Sequence, residues 1–149
     1  MKWIASRLSA RGSDYEFVNL TLKQGIKRDD GIWAPLTPED ADSNTRQFLN
    51  TLSRKVYGNM CKKHGKRLTV VDCAEGGGDS ECREHRHMLI EMPLRFGETE
   101  FQNLIREVWR KTLWAREHDR IERARDIRRV ISYMTKTGIE AIRFETSTF

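Results

Sequence analysis

The chain has 149 residues, 33% of them charged, with a net charge of +5 and three cysteines. That length suits one domain with a core that needs no disulfides or partner, and no apolar stretch approaches the ~20 residues of a membrane helix. An odd cysteine count, and an amino-terminal stretch broken at once by Arg7 and Arg11, speak against a secreted disulfide framework and for a reducing cytoplasm. The basic excess suits a protein attracted to polyanions.

Residues 17–23 alternate, with Val18, Leu20 and Leu22 on one side and Asn19, Thr21 and Lys23 on the other, the pattern of a half-buried strand. Residues 25–35 read as a turn-rich surface loop. Thr37, Pro38, Glu39 and Asp40 then open a helix, with a capping hydroxyl, a proline in the first turn and acids at the positive dipole end. Whether it runs on through Ser43 and Asn44 is open at this level. From Phe48 the apolar residues Leu49, Leu52, Val56, Tyr57 and Met60 fall at helical spacing, and Gly65 closes the segment.

Residues 68–75 and 85–92 read as two strands joined by a loop whose 76–80 portion, three glycines followed by Asp79 and Ser80, is irregular. A second helix over 99–116 carries Phe101, Leu104, Ile105, Val108, Thr112 and Leu113. Residues 119–126 are a charged segment suited to a sheet edge. Ile127, Val130, Ile131 and Met134 mark one face of a third helix ending at Gly138. The order β-α-β-β-α-(β)-α predicts a single α+β domain over 1–149. Its expected form is a central antiparallel sheet flanked by helices, ferredoxin-like in outline.

Residues two apart on a strand point the same way, so His85 and His87 project from one face, and a simple hairpin brings Glu75 opposite them. Two imidazoles and a carboxylate leave coordination positions open and suit Mn²⁺ or Mg²⁺. A rival is zinc, since Cys82 and His85 have ligand-like spacing and Cys73, Cys61 and His64 are possible partners. The structural alternative makes the two histidines surface or structural residues. Further on, Tyr133 lies off the apolar stripe with Lys136 three residues later and Arg129 four residues before it. A phenol with nearby cations is a candidate nucleophile, and its plain alternative is an amphipathic surface tyrosine beside a solvated lysine.

Together these motifs resemble the HUH endonuclease family, in particular the single-tyrosine replication initiators of rolling-circle plasmids, phages and small circular DNA viruses. The segment His85-Arg-His87-Met-Leu-Ile resembles the family's metal motif, Tyr133-Met-Thr-Lys136-Thr-Gly138 its tyrosine motif, and Phe17-Val-Asn-Leu-Thr-Leu its first strand. The resemblance implies a sheet of about five strands, RRM-like, and Glu75 as third ligand. It also implies nicking of single-stranded DNA at a replication origin through a 5′-phosphotyrosine on Tyr133, with Lys136 stabilising charge. Asn19, Thr21, Lys23 and Arg129 are the expected DNA contacts. With no phosphate-binding Gly-Lys-Ser/Thr loop, no nucleotide cofactor is expected, and unwinding and copying fall to a host helicase and polymerase. The compartment would be a bacterial cytoplasm, or the nucleus for a eukaryotic virus. Arg86 departs from the family, which has an apolar residue between the histidines. Small single-tyrosine transposases share the motif order, and a non-enzymatic nucleic-acid-binding module is the competing class. Such modules usually stack bases on aromatics of the central strands, and 68–75 and 85–92 contain none.

Overall fold

The computed structural model describes residues 1–77 and 80–149; of the stretch read as irregular, Gly78 and Asp79 lie outside the described residues. The first element, helix α1 (Lys2–Ala10), has no counterpart in the sequence reading. Its apolar face is only Ile4, Ala5 and Leu8, too short a stripe to announce itself, and it forms because those side chains are buried against the sheet and the last helix. Strand β1 (Tyr15–Leu22) follows, beginning earlier than its alternation suggests because Tyr15 is also buried, its hydroxyl donating to the Leu8 carbonyl at 3.5 Å.

The segment expected to be a loop contains a two-stranded ribbon, β2 (Gly25–Lys27) and β3 (Trp33–Pro35), closed by a turn at Gly31. Helix α2 (Pro38–Tyr57) runs unbroken through Ser43 and Asn44, and at its start Thr37 and Asp40 cap each other reciprocally. The helical stretch does not continue to Gly65 in one piece. Gly58, at φ 52°, turns the chain into a short helix α3 (Asn59–His64), which leaves Met60 about half exposed while Phe48, Leu49, Leu52 and Val56 stay buried.

Strands β4 (Val70–Glu75) and β5 (His85–Glu91) form the expected hairpin. Helix α4 (Glu98–Arg110) ends sooner than its stripe implies. Thr112 sits in the following turn, where its hydroxyl donates to Trp109 O and accepts from Asn44 Nδ2, and Leu113 is exposed. The charged segment is strand β6 (Ala115–Arg123), and helix α5 (Ile127–Met134) is capped by Asp126. That helix stops four residues short of Gly138, because the chain turns at Thr135.

The sheet is antiparallel, with order β4-β5-β1-β6, which is the ferredoxin-like order once the ribbon is set aside. Four strands replace the expected five. The fifth place, beside β4, is taken by carboxyl-terminal residues that form isolated bridges, Cys73 with Ile142 and Val70 with Thr148, and no regular strand. One face packs on α2 and α4 through Val18, Leu20, Leu22, Met88 and Ile90. The other packs on α1 and α5 through Val71, Cys73, Leu89, Ile131 and Met134. Among the described residues no helix is long and apolar enough to cross a membrane.

Arg86 points into the first of these faces and is fully buried. Its guanidinium meets Asp42 at 2.6 Å, Asp72 at 3.1 Å and Glu84 at 3.5 Å, and Arg143 closes on Asp42 from the other side at 3.1 Å. Burial pushes the Asp72 carboxyl up, against the pull of Arg86. At the less enclosed Asp42 burial acts the same way, but hydrogen bonds and charge from Arg86 and Arg143 outweigh it and hold the carboxyl below its usual range. Removing one partner of a buried pair leaves an uncompensated charge at a cost of ~3–5 kcal/mol. Arg86→Met is therefore expected to lower unfolding stability in urea by about that amount, with Arg86→Met/Asp72→Asn regaining part of it. A loss no larger than that of a surface pair, about 0–1 kcal/mol, would show that these charges constrain nothing.

Candidate metal and tyrosine site

The register of the sheet builds the site. Glu75 lies opposite His85, which lies opposite Thr21, and one step along Cys73, His87 and Asn19 share a row. All six therefore belong to the α1/α5 face. His87 Nε2 is 2.7 Å from Glu75 Oε2 and 3.0 Å from His85 Nε2, and His85 Nε2 is 3.5 Å from the same carboxylate oxygen. Donor atoms at right angles around one ion, each ~2.1 Å from it, stand about 3 Å apart. Spacings of 2.7 to 3.5 Å therefore fit three residues that would share one ion.

Two details favour ligation at these atoms. His85 Nδ1 faces the Arg83 carbonyl at 2.8 Å. A carbonyl only accepts, so Nδ1 carries the hydrogen and Nε2 keeps its lone pair for the shared site. His87 is buried, and desolvation pushes its imidazole below the ordinary value despite the hydrogen bond and charge of Glu75. At Glu75 burial pulls upward, but hydrogen bonds from Lys136 and His87 win and keep the carboxyl low. A neutral imidazole beside an ionised carboxylate would accept a divalent cation once the Nε2 proton that His87 shares with Glu75 is displaced. His87 Nδ1 finds no hydrogen-bond partner among the described residues. Its ring is held instead by stacking on Phe17 at 5.8 Å.

The cysteine ligands of the zinc alternative do not join this cluster. Cys82 Sγ lies 4.0 Å from His85 Nδ1, on the side of the ring away from Glu75 and His87. Cys61 and Cys73 are buried, and desolvation pushes the Cys73 thiol up to about 12. Among the described residues Glu75, His85 and His87 are the group whose donor atoms converge.

Tyr133 stands over this trio. Its ring meets His87 edge-on at 5.5 Å and Phe17 at 6.0 Å, yet the residue is 48% exposed, because Ile131 and Met134 occupy the buried side of α5. Lys136 is placed differently from the expectation: it lies in the turn after α5 and does not form a helical neighbour pair. The turn brings its ammonium 4.8 Å from the Tyr133 ring centre and 2.7 Å from Glu75 Oε1. The hydrogen bond to Glu75 raises the Lys136 pKa. Glu75 thus divides its oxygens, Oε1 to the lysine and Oε2 to the histidines.

A cleft of about 860 Å³ adjoins the tyrosine, and Asn19, His87, Arg129 and Tyr133 are among its walls. The sequence reading did not place the others there, Phe17, Arg120 and Arg125 among them. Phe17 was legible only as a strand residue, since its role rests on His87 lying nearby, and the arginines lay in a stretch read simply as charged. A second depression of about 590 Å³ holds Asn19, Thr21, His85, Arg116 and Arg120, and the Thr21 hydroxyl donates to the His118 carbonyl. Lys23 is exposed beyond β1 and lines neither cleft.

Mn²⁺ at a hundredfold excess over its Kd should stabilise the chain by about 2.7 kcal/mol. That gain, read from thermal melts, is expected to vanish in Glu75→Gln and His87→Ala, and its survival in either variant would move the ion elsewhere. Because His87 binds its proton less readily folded than unfolded, the metal-free chain should lose stability as pH falls below about 6.5 and be unaffected by this group above it. One proton contributes a slope of at most about 1.4 kcal/mol per pH unit, and His87→Gln should remove that contribution from urea melts between about pH 5 and 7. An identical slope in the variant would contradict the neutral, buried state of the ring.

No protein-family model, no curated protein and no solved structure matches this chain.

Proposed function

We propose that the chain is a metal-dependent endonuclease and strand transferase acting on single-stranded DNA, of the kind that starts rolling-circle replication. The observation that supports it is the meeting of Glu75, His85, His87, Tyr133 and Lys136 in one place from three separate segments. A core-packing role does not call for a half-exposed tyrosine over two histidines and a carboxylate.

Glu75, His85 and His87 would hold Mn²⁺ or Mg²⁺, which supplies Lewis-acid polarisation of a phosphate oxygen when bound. Asn19, Arg120, Arg125 and Arg129 present amide and guanidinium donors to the backbone of a strand lying in the cleft. The Tyr133 hydroxyl attacks the phosphorus and gives up its proton to solvent. The bond from phosphorus to the 3′ oxygen breaks, and that oxygen takes up a proton. The products are a free 3′-hydroxyl for a host polymerase and a 5′-phosphate esterified to Tyr133. One phosphodiester replaces another, so the step runs backwards as readily and rejoins ends. The Lys136 ammonium, held beside the ring by Glu75, would offset the charge that gathers on the phosphate.

Incubating the protein with end-labelled single-stranded oligonucleotides and Mn²⁺ should give a denaturant-resistant protein–DNA adduct that chelator abolishes. Tyr133→Phe is expected to lose the adduct entirely while retaining DNA binding, and Lys136→Met to slow it by about 10²-fold, the scale of one charge-stabilising group. Cleavage at full rate by Tyr133→Phe would remove the tyrosine from the reaction. DNA binding by the wild type without any adduct would favour the non-enzymatic module.

A further inference from the structure

The ribbon β2–β3 has no part in the site described so far. Trp33 is 64% exposed and its neighbour Ile32 62%, on a hairpin that also carries Lys27 and Arg28. The indole does not hang free. It lies against Gly25 on the partner strand, so closely that a Cβ at that position would collide with the ring. An aromatic laid across a glycine stiffens a two-stranded ribbon, and the same contact leaves the outer face of the indole bare and fixed in orientation.

The ribbon is also tied to the metal hairpin. Gln24, one residue before β2, donates from Nε2 to the Glu84 carbonyl at 3.3 Å and accepts from the Glu84 N–H at 3.1 Å. Glu84 immediately precedes His85. Trp33 on Gly25, Gly25 beside Gln24, and Gln24 on Glu84 thus form a continuous connection from the indole to a predicted metal ligand. The surroundings favour a polyanion: Lys23, Lys27, Arg28 and Arg83 are exposed. Of the two acids in the turn, Asp30 is occupied by capping the Ile32 N–H at 2.9 Å.

We infer that Trp33 is a stacking platform for an unpaired base of the DNA strand that enters the Tyr133 site, a binding determinant joined to the metal hairpin through Gln24 and Glu84. This rests on the nickase reading for the identity of the strand. A flat, immobilised π-face with cations around it binds any unpaired base, and a base held there adds to affinity without touching the reaction centre.

The test uses the full chain and a fluorescein-labelled oligo(dT), with binding followed by anisotropy. Trp33→Ala and Trp33→Leu are expected to weaken binding on the order of tenfold or more, and Trp33→Phe by much less, with Mn²⁺ stabilisation unchanged in all three. Leu at wild-type affinity, or Ala within about twofold of it, would overturn the stacking role, since an apolar or purely structural ribbon is indifferent to flatness. A measurement that needs no substitution guards against a misfolded ribbon: photo-crosslinking the wild type to an oligonucleotide carrying 5-iodouracil should place an adduct on Trp33. Crosslinks confined to β6 and α5 would overturn the inference, as would binding to duplex DNA that depends equally on Trp33. If Tyr133-dependent adducts form but Trp33 proves indifferent, this inference alone fails. If binding depends on Trp33 and no adduct forms, the nickase reading fails and the platform stands.

Discussion

A charge buried between two candidate ligands governs how this sheet is assembled. Arg86 lies between His85 and His87 in sequence but on the reverse face of β5, enclosed by Asp42, Asp72 and Glu84. A one-residue slip of β5 would expose that guanidinium on the α5 side and drive both imidazoles into the apolar layer under α2 and α4. The cost of an unpaired buried charge excludes that arrangement. The residue that departs from the expected apolar one between the histidines therefore fixes the register on which the alignment of Glu75, His85 and Thr21 depends. It also ties in remote parts of the chain, because Thr146 donates to Asp72 at 2.5 Å and Arg143 to Asp42.

Most of the strands and long helices were legible because their signals are periodic and local. Val18, Leu20 and Leu22 alternate, α2 announces itself by its reciprocal cap, and Phe101, Ile105 and Val108 trace one helical face. The misjudged parts depend on partners distant in sequence. α1 exists through contacts with α5 and the sheet, the ribbon through a tryptophan crossing to a glycine, and the early end of α4 through the bond from Asn44 to Thr112. The same division holds at the site. His85, His87 and Glu75 follow from strand periodicity and a hairpin. Lys136 was found by spacing but for the wrong local reason, since a turn and not a helix brings it to Tyr133.

The arrangement separates what must be rigid from what must be reachable. His87 is packed against Phe17 and Tyr133, and α5 is anchored by Ile131 and Met134. The phenol and the ammonium rise above this floor into solvent and can be reached without opening the core. Glu75 links the two levels, one oxygen toward the imidazoles and the other toward Lys136.

The two borders of the sheet are closed by different means. Along β4, Ile142 and Thr148 occupy parts of the outer edge, and β6 carries exposed Arg116, Glu117, His118, Arg120, Glu122 and Arg123 on nine residues of edge strand. A strand so densely charged is a poor template for another chain's backbone. Copies crowded together are thereby kept from zipping into continuous β-structure, and any assembly they form along this border has to be made through side chains.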